Sequence, residues 1–151
     1  MEALIQALRT LQANAFIYYT KAHGYHWNIE GILFTQFHEF FSEIYNDAWS
    51  SVDNYAEWIR IFGEKAVFDT PSILMNSNVR YDLDMNVTNP IDMLSSLNSS
   101  NDQIISDLTS AFDIATLEKQ QGVANFFADR ITAHEKFRWK ITSSLKTMSS
   151  N

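Results

Sequence analysis

The sequence predicts an all-α protein, a bundle of four long helices with a short extra helix in the connection between the second and third. Three observations carry this. Only four glycines and two prolines punctuate 151 residues, and such sparse punctuation favours a few long helices over many short strands. Apolar residues recur at steps of three and four over long windows, the period of a helix with one buried face. Both prolines sit directly behind a helix-starting residue, as Thr70-Pro71 and Asn89-Pro90, where a missing N–H costs nothing. The length fits one domain, residues 1–151, and 46% hydrophobic residues supply its core.

The first helix is expected over residues 2 to about 23, where Leu4, Leu8, Leu11, Ala15 and Tyr19 form a stripe. Gly24 and the His26-Trp27-Asn28 run loosen its end, and Gly31 marks the turn. The second covers residues 34–62, with Phe37, Phe41, Ile44, Ala48, Val52, Tyr55 and Ile59 on one face and Gly63 as its terminating glycine. Residues 64–89 are polar and irregular, apart from a short helix capped by Thr70 that runs to about Asn76. A third long helix opens at Pro90 and runs to about residue 117 on Ile91, Leu94, Leu97, Ile104 (or Ile105) and Leu108. Gln120-Gln121-Gly122 breaks it, and a fourth runs to about Leu145 on Val123, Phe126, Phe127, Ile131 and Ile141. Four helices with one long crossover between the second and third have the ferritin-like topology.

Composition removes several function classes. With no cysteine there is no disulfide, thiolate chemistry or zinc finger. A formal net charge of −7 repels nucleic-acid phosphate, and neither end carries a basic tail, so direct DNA binding is not expected. The excess carboxylate suits cations. No run of eighteen apolar residues suggests a membrane span, and the first residues lack the pattern of a signal peptide, so a cytoplasmic location is expected.

The four histidines raise the question of metal. His38 and Asp53 are fifteen positions apart on one predicted helix, about 22 Å at 1.5 Å per residue, whereas ligands of one ion lie about 2 Å from it. Asp53 and Glu57, at i and i+4, can share an ion, and His26 can fold near His38. One helix therefore carries a histidine half-site at one end and a carboxylate half-site at the other. An antiparallel second copy would bring the two together in a pair of mixed nitrogen and oxygen sites. That mixture suits iron or a similar divalent transition metal. The Glu-x-x-His signature of intrachain di-iron bundles is missing, because Thr20, His23, Thr35 and Ile131 stand three before the histidines. Each group also has a plainer role. A lone helix histidine is more often structural, and Arg60 stands where it can pair with Glu57.

The run HWNIEGILFTQFHEFF from His26 to Phe41, then Asp53-Asn54-Tyr55-Ala56-Glu57 and Arg60, resembles the Dps-like mini-ferritins, the DNA-binding proteins from starved cells. Their pattern is His-Trp-Asn, a Gly, a Phe, a second His-Glu and then Asp-x-x-Ala-Glu. HEKFRWKI, from His134 to Ile141, adds a weaker likeness in the last helix. The resemblance implies a hollow shell of twelve copies and ferroxidase sites across twofold contacts. His26 and His38 of one subunit would face Asp53 and Glu57 of its neighbour. It implies oxidation of Fe(II), preferably by hydrogen peroxide, and storage of ferric mineral, with zinc as a substitute occupant of the ligands. Trp27 would intercept radicals or pack at the dimer contact. One departure stands out: Ser42 replaces the Asp usual one turn past the second histidine. A hydroxyl is the weaker ligand for a hard cation, so the alternative expectation is a shell with weakened or lost oxidation. Glu39 and Glu43 are the carboxylates near enough in sequence to compensate.

Overall fold

The computed structural model describes residues 1–81 and 84–149. Its elements are α1 (Glu2–Asn28), α2 (Phe34–Ile61), α3 (Thr70–Asn76), α4 (Pro90–Leu117) and α5 (Gln121–Ser149), with no strand among the described residues. The four long helices form the expected ferritin-like bundle. Helix α1 packs on α2 and α4, and α4 packs on α5. The crossover from α2 to α4 carries α3 against α1. The core is the meeting of the four apolar stripes, among them Leu4, Leu8, Phe41, Ile44, Leu94, Leu108 and Phe127, all fully buried. Each such side chain contributes about 1.5–3 kcal/mol on leaving water.

Boundaries differ from the sequence expectation in instructive places. Helix α1 does not loosen at Gly24 but continues through it to Asn28. A helical glycine costs about 1 kcal/mol against alanine, and burial of Ala22, Tyr25 and Ile29 on either side outweighs that. The true turn is at Gly31, whose φ of +109° lies in the left-handed region open to glycine. The cap of α3 is Asp69, which accepts from the Ser72 amide, so Thr70 is the first helical residue. Asn89 caps α4 as expected, accepting from the Ile91 amide. Ile91 itself is exposed, and Met93 takes the core position instead. The break between α4 and α5 falls at 118–120, with Lys119 at φ +58°. Gly122 lies inside α5, where an added Cβ would come within 3.1 Å of the Trp58 ring.

Side-chain amides hold the long crossover in place. Gln12 donates to the Val67 carbonyl at 2.6 Å and accepts from the Val67 amide at 3.2 Å. Asn14, fully buried, accepts from the Ser77 hydroxyl and the Asn78 amide and donates to Asp107. Its removal strands several polar groups, each costing about 1–3 kcal/mol when buried without a partner. Asn14→Ala is therefore expected to lower stability by about 2–4 kcal/mol, read as an earlier urea midpoint. An unchanged midpoint would show that the crossover is held by other contacts.

Candidate metal centre

The last turn of α1 and the second turn of α2 bring His26 and His38 together. The imidazoles stack with centroids 3.6 Å apart and planes 18° from parallel. Each ring also bonds the other residue's backbone. His26 Nδ1 meets the His38 carbonyl at 2.6 Å, and His38 Nδ1 meets the His26 carbonyl at 2.7 Å. A carbonyl only accepts, so both Nδ1 atoms carry a proton, and in the neutral ring each Nε2 is left with the lone pair. This is how metal-binding histidines are commonly oriented, the far nitrogen held by a backbone acceptor.

Aromatic rings surround the pair. Phe34 stacks on His38 at 4.8 Å, and Tyr45 stands edge-on to His26 at 5.1 Å. His23, one turn before His26, stacks on Tyr45 at 4.0 Å, and its Nδ1 lies 3.0 Å from the Tyr19 hydroxyl. Burial, then the neighbouring His26, holds the His23 pKa below the usual imidazole value. Trp27 lies against His23 at 3.9 Å and is exposed. Tyr19, His23 and Tyr45 did not stand out in the sequence. The signal that finds two of them is the i, i+4, i+7 spacing of Tyr19, His23 and His26 on one helix face.

Asp53 and Glu57 lie one turn apart on α2 and are exposed. Neither forms an ion pair among the described residues. The Glu57–Arg60 pair that the spacing allows is not made; Arg60 Nη1 donates to the Glu64 carbonyl instead. Asp53 lines a shallow depression with Trp49, Val52 and Ala56. The histidine pair and the carboxylate pair thus stand toward opposite ends of one unbroken helix. Among the described residues of one subunit, no three His, Asp or Glu side chains are grouped so as to hold a metal ion.

The Ser42 hydroxyl donates to the Glu39 carbonyl of its own helix at 2.8 Å, a common fate of serine within helices. Glu43 is held in an ion pair with Lys140. Its carboxylate accepts from Lys140 at 2.6 Å, and with Glu39 it lines a groove between α2 and α5, beside Trp139.

The bundle interior holds a second polar group. Arg130 donates to both carboxylate oxygens of Asp47, at 3.0 and 2.6 Å. It also donates to Nε2 of the buried His134 at 3.0 Å, and His134 Nδ1–H donates to Asn101 Oδ1 at 2.7 Å. Burial, then the Arg130 charge, keeps the His134 pKa well below the ordinary value. Burial pushes the nearby Tyr55 phenol up to about 12. The plainer role, a histidine satisfied in the core, is the one that His134 fills.

A family model described as a ferritin-like domain matches residues 5–150. The DNA protection during starvation protein of Brevibacillus brevis is 24% identical over 147 residues, covering 97% of each chain. The crystal structure of Dps from Staphylococcus aureus aligns with a TM-score of 0.91 at 28% identity, over 96% of both chains. That of the Dps protein from Vibrio cholerae O1, described as a member of a broad superfamily of ferritin-like diiron-carboxylate proteins, aligns with a TM-score of 0.91 at 25% identity. It covers 95% of this chain and 89% of that one.

Proposed function

This chain belongs to the ferritin-like domain family, and from that premise we infer that it is a cytoplasmic iron-storage and detoxification protein. It oxidises Fe(II), preferably with hydrogen peroxide, at sites completed by two subunits, and keeps the ferric product inside a shell of twelve copies. The observation that carries this reading is the locked pair of imidazoles. Their two Nε2 lone pairs stand at one end of α2, and two carboxylates without ion-pair partners among the described residues stand toward the other. A twofold contact laying two α2 helices head to tail unites His26 and His38 with the neighbour's Asp53 and Glu57. Neutral imidazole nitrogen with carboxylate oxygen suits Fe(II), and zinc can take the same ligands.

Peroxide consumption and Fe(III) absorbance on mixing anaerobic Fe(II)-loaded protein with hydrogen peroxide test the chemistry. Native mass spectrometry tests the assembly, with a mass near twelve subunits expected. A particle no larger than a dimer, or loaded protein that oxidises iron no faster than buffer, would overturn the reading.

A second reading, a shell with weakened oxidation, is favoured by Ser42, whose hydroxyl proton is already donated within α2. Ser42→Asp supplies a charged oxygen one turn from His38. It is expected to tighten Fe(II) binding about tenfold, or about 1.4 kcal/mol, in an anaerobic titration. Equal or weaker binding would place the histidine half-site elsewhere. With a net charge of −7, the protein is expected to leave DNA unretarded in a gel shift at physiological salt without added divalent cations.

A further inference from the structure

All four long helices contribute to the polar group in the bundle interior: Tyr18 from α1, Asp47 and Tyr55 from α2, Asn101 from α4, and Arg130 and His134 from α5. Its centre is a cation. Arg130 Nη2 stands 2.6 Å from Asp47 Oδ2 and 3.0 Å from His134 Nε2. One nitrogen thus bridges a carboxylate oxygen and an imidazole lone pair. Asn101 fixes that lone pair. The His134 carbonyl only accepts, so the Asn101 atom 2.8 Å from it is the amide nitrogen. The Asn101 oxygen therefore accepts from His134 Nδ1–H at 2.7 Å and from the Tyr18 hydroxyl at 3.3 Å. With its proton on Nδ1, His134 turns Nε2 toward Arg130 as an acceptor, the orientation usual for an imidazole that ligates a metal. A further oxygen is idle. The Tyr55 hydroxyl, buried close enough to feel the Arg130 charge, has no hydrogen-bond partner among the described residues, and neither has Arg130 Nε.

We propose that this group is a transition-metal site held shut by a side chain, with the Arg130 guanidinium standing where a divalent ion would bind between Asp47 Oδ2, His134 Nε2 and the Tyr55 phenol. Carboxylate oxygen, imidazole nitrogen and phenol oxygen form a ligand set for zinc, cobalt or iron. Such ligands lie about 2.0–2.2 Å from the ion. An ion at the position of Nη2 therefore needs Asp47 and His134 to close by less than about 1 Å each. Space left by the guanidinium admits a water as the fourth ligand of a tetrahedral centre. Asp47 keeps 31% exposure, which gives an ion a way in from solvent. In the native protein the arginine neutralises Asp47 and keeps metal out of the bundle core, so His134 stays structural and metal binding is left to other parts of the subunit. This role of Arg130 stands independently of the sites shared between subunits.

The test counts Co(II), whose visible absorption strengthens in a tetrahedral site. In equilibrium dialysis Arg130→Ala should bind one more Co(II) per subunit than wild type, whether or not the wild type binds any, and the extra ion should bring that absorption. Adding Asp47→Asn and His134→Leu to Arg130→Ala should remove the extra ion. In thermal melts with Co(II) at about a hundredfold excess over Kd, the Tm of Arg130→Ala should rise about 5–10 °C more than that of wild type. Mg(II) should give no such difference. Should Arg130→Ala be unfolded without metal, folding on addition of Co(II), read by circular dichroism, is the expected result. Equal Co(II) counts in wild type and variant, an extra ion that survives loss of Asp47 and His134, or a variant that stays unfolded in Co(II) overturns the proposal. Failure of the wild type to bind or oxidise Fe(II) counts instead against the shared sites alone.

Discussion

Mixing two inactive variants is expected to restore iron oxidation. The first lacks the imidazoles, His26→Ala with His38→Ala. The second lacks the carboxylates, Asp53→Asn with Glu57→Gln. Changing groups that merely orient a metal ligand costs about 10–100-fold in affinity, so loss of the ligands themselves should weaken Fe(II) binding by more than about 100-fold. In a particle of one kind, every site lacks the same half. In a mixed twofold pair, one site lacks both halves and the other is whole, because the second variant supplies histidines and the first supplies carboxylates. With random pairing, half of the pairs are mixed, and about a quarter of the wild-type sites return. The readouts are anaerobic Fe(II) titration and peroxide-driven oxidation after joint refolding, with native mass spectrometry to confirm mixed particles. Mixed particles without recovered binding would eliminate the shared site.

Replacing Arg130 by methionine is expected to cost about 3 kcal/mol, the lower part of the range for breaking a buried ion pair. The Asp47 carboxylate retains 31% exposure, so part of its charge stays solvated. For a chain of this size that is a fall in Tm of about 6–12 °C. The same node sets an acid limit. His134 is neutral in the folded state, accepting from Arg130 and donating to Asn101, and its pKa is depressed by burial and then by the Arg130 charge. The unfolded chain takes up this proton near pH 6.5, but the folded protein does so only at lower pH. The contribution is therefore complete above about pH 6.5. It is lost as pH falls toward the folded value, at about 1.4 kcal/mol per pH unit for one proton. His134→Gln retains a donor and an acceptor and is expected to flatten that part of the profile in thermal melts from pH 7 to pH 5 (the depressed His23 leaves a smaller slope). A profile as steep as wild type would mean that other groups set the acid limit.

The architecture was readable because its signals are local. Proline behind Asn89 starts α4 as expected, and the stripe of α2 names six of its seven buried residues, that of α4 four of ten. The end of α1 misled because Gly24 has the composition of a break, while what overrides it is packing of Tyr25 and Ile29 against distant residues. The same division holds for the site. Spacing alone separated the histidines from Asp53 and Glu57, because a helix fixes distance along its axis, whereas Ser42 was flagged by the family resemblance. The crossed imidazole–carbonyl bonds depend on how two helices meet, and no residue type announces them. Arg130 and Asp47 pair across two helices far apart in sequence, and neither position has a local signature. Glu57 and Arg60 had the spacing to pair, yet the guanidinium found a backbone carbonyl instead.

The crossed bonds between His26 and His38 also bear on exchange kinetics. Most histidine ligands can let go of an ion singly, by rotating about χ1 on the nanosecond scale of side-chain motion. Here neither ring can turn without breaking its bond to the other residue's backbone and unstacking from its partner. The two imidazoles are therefore held as one rigid unit. At the shared site proposed above, release of an ion should follow the slower parting of the two molecules rather than the turning of a single ring.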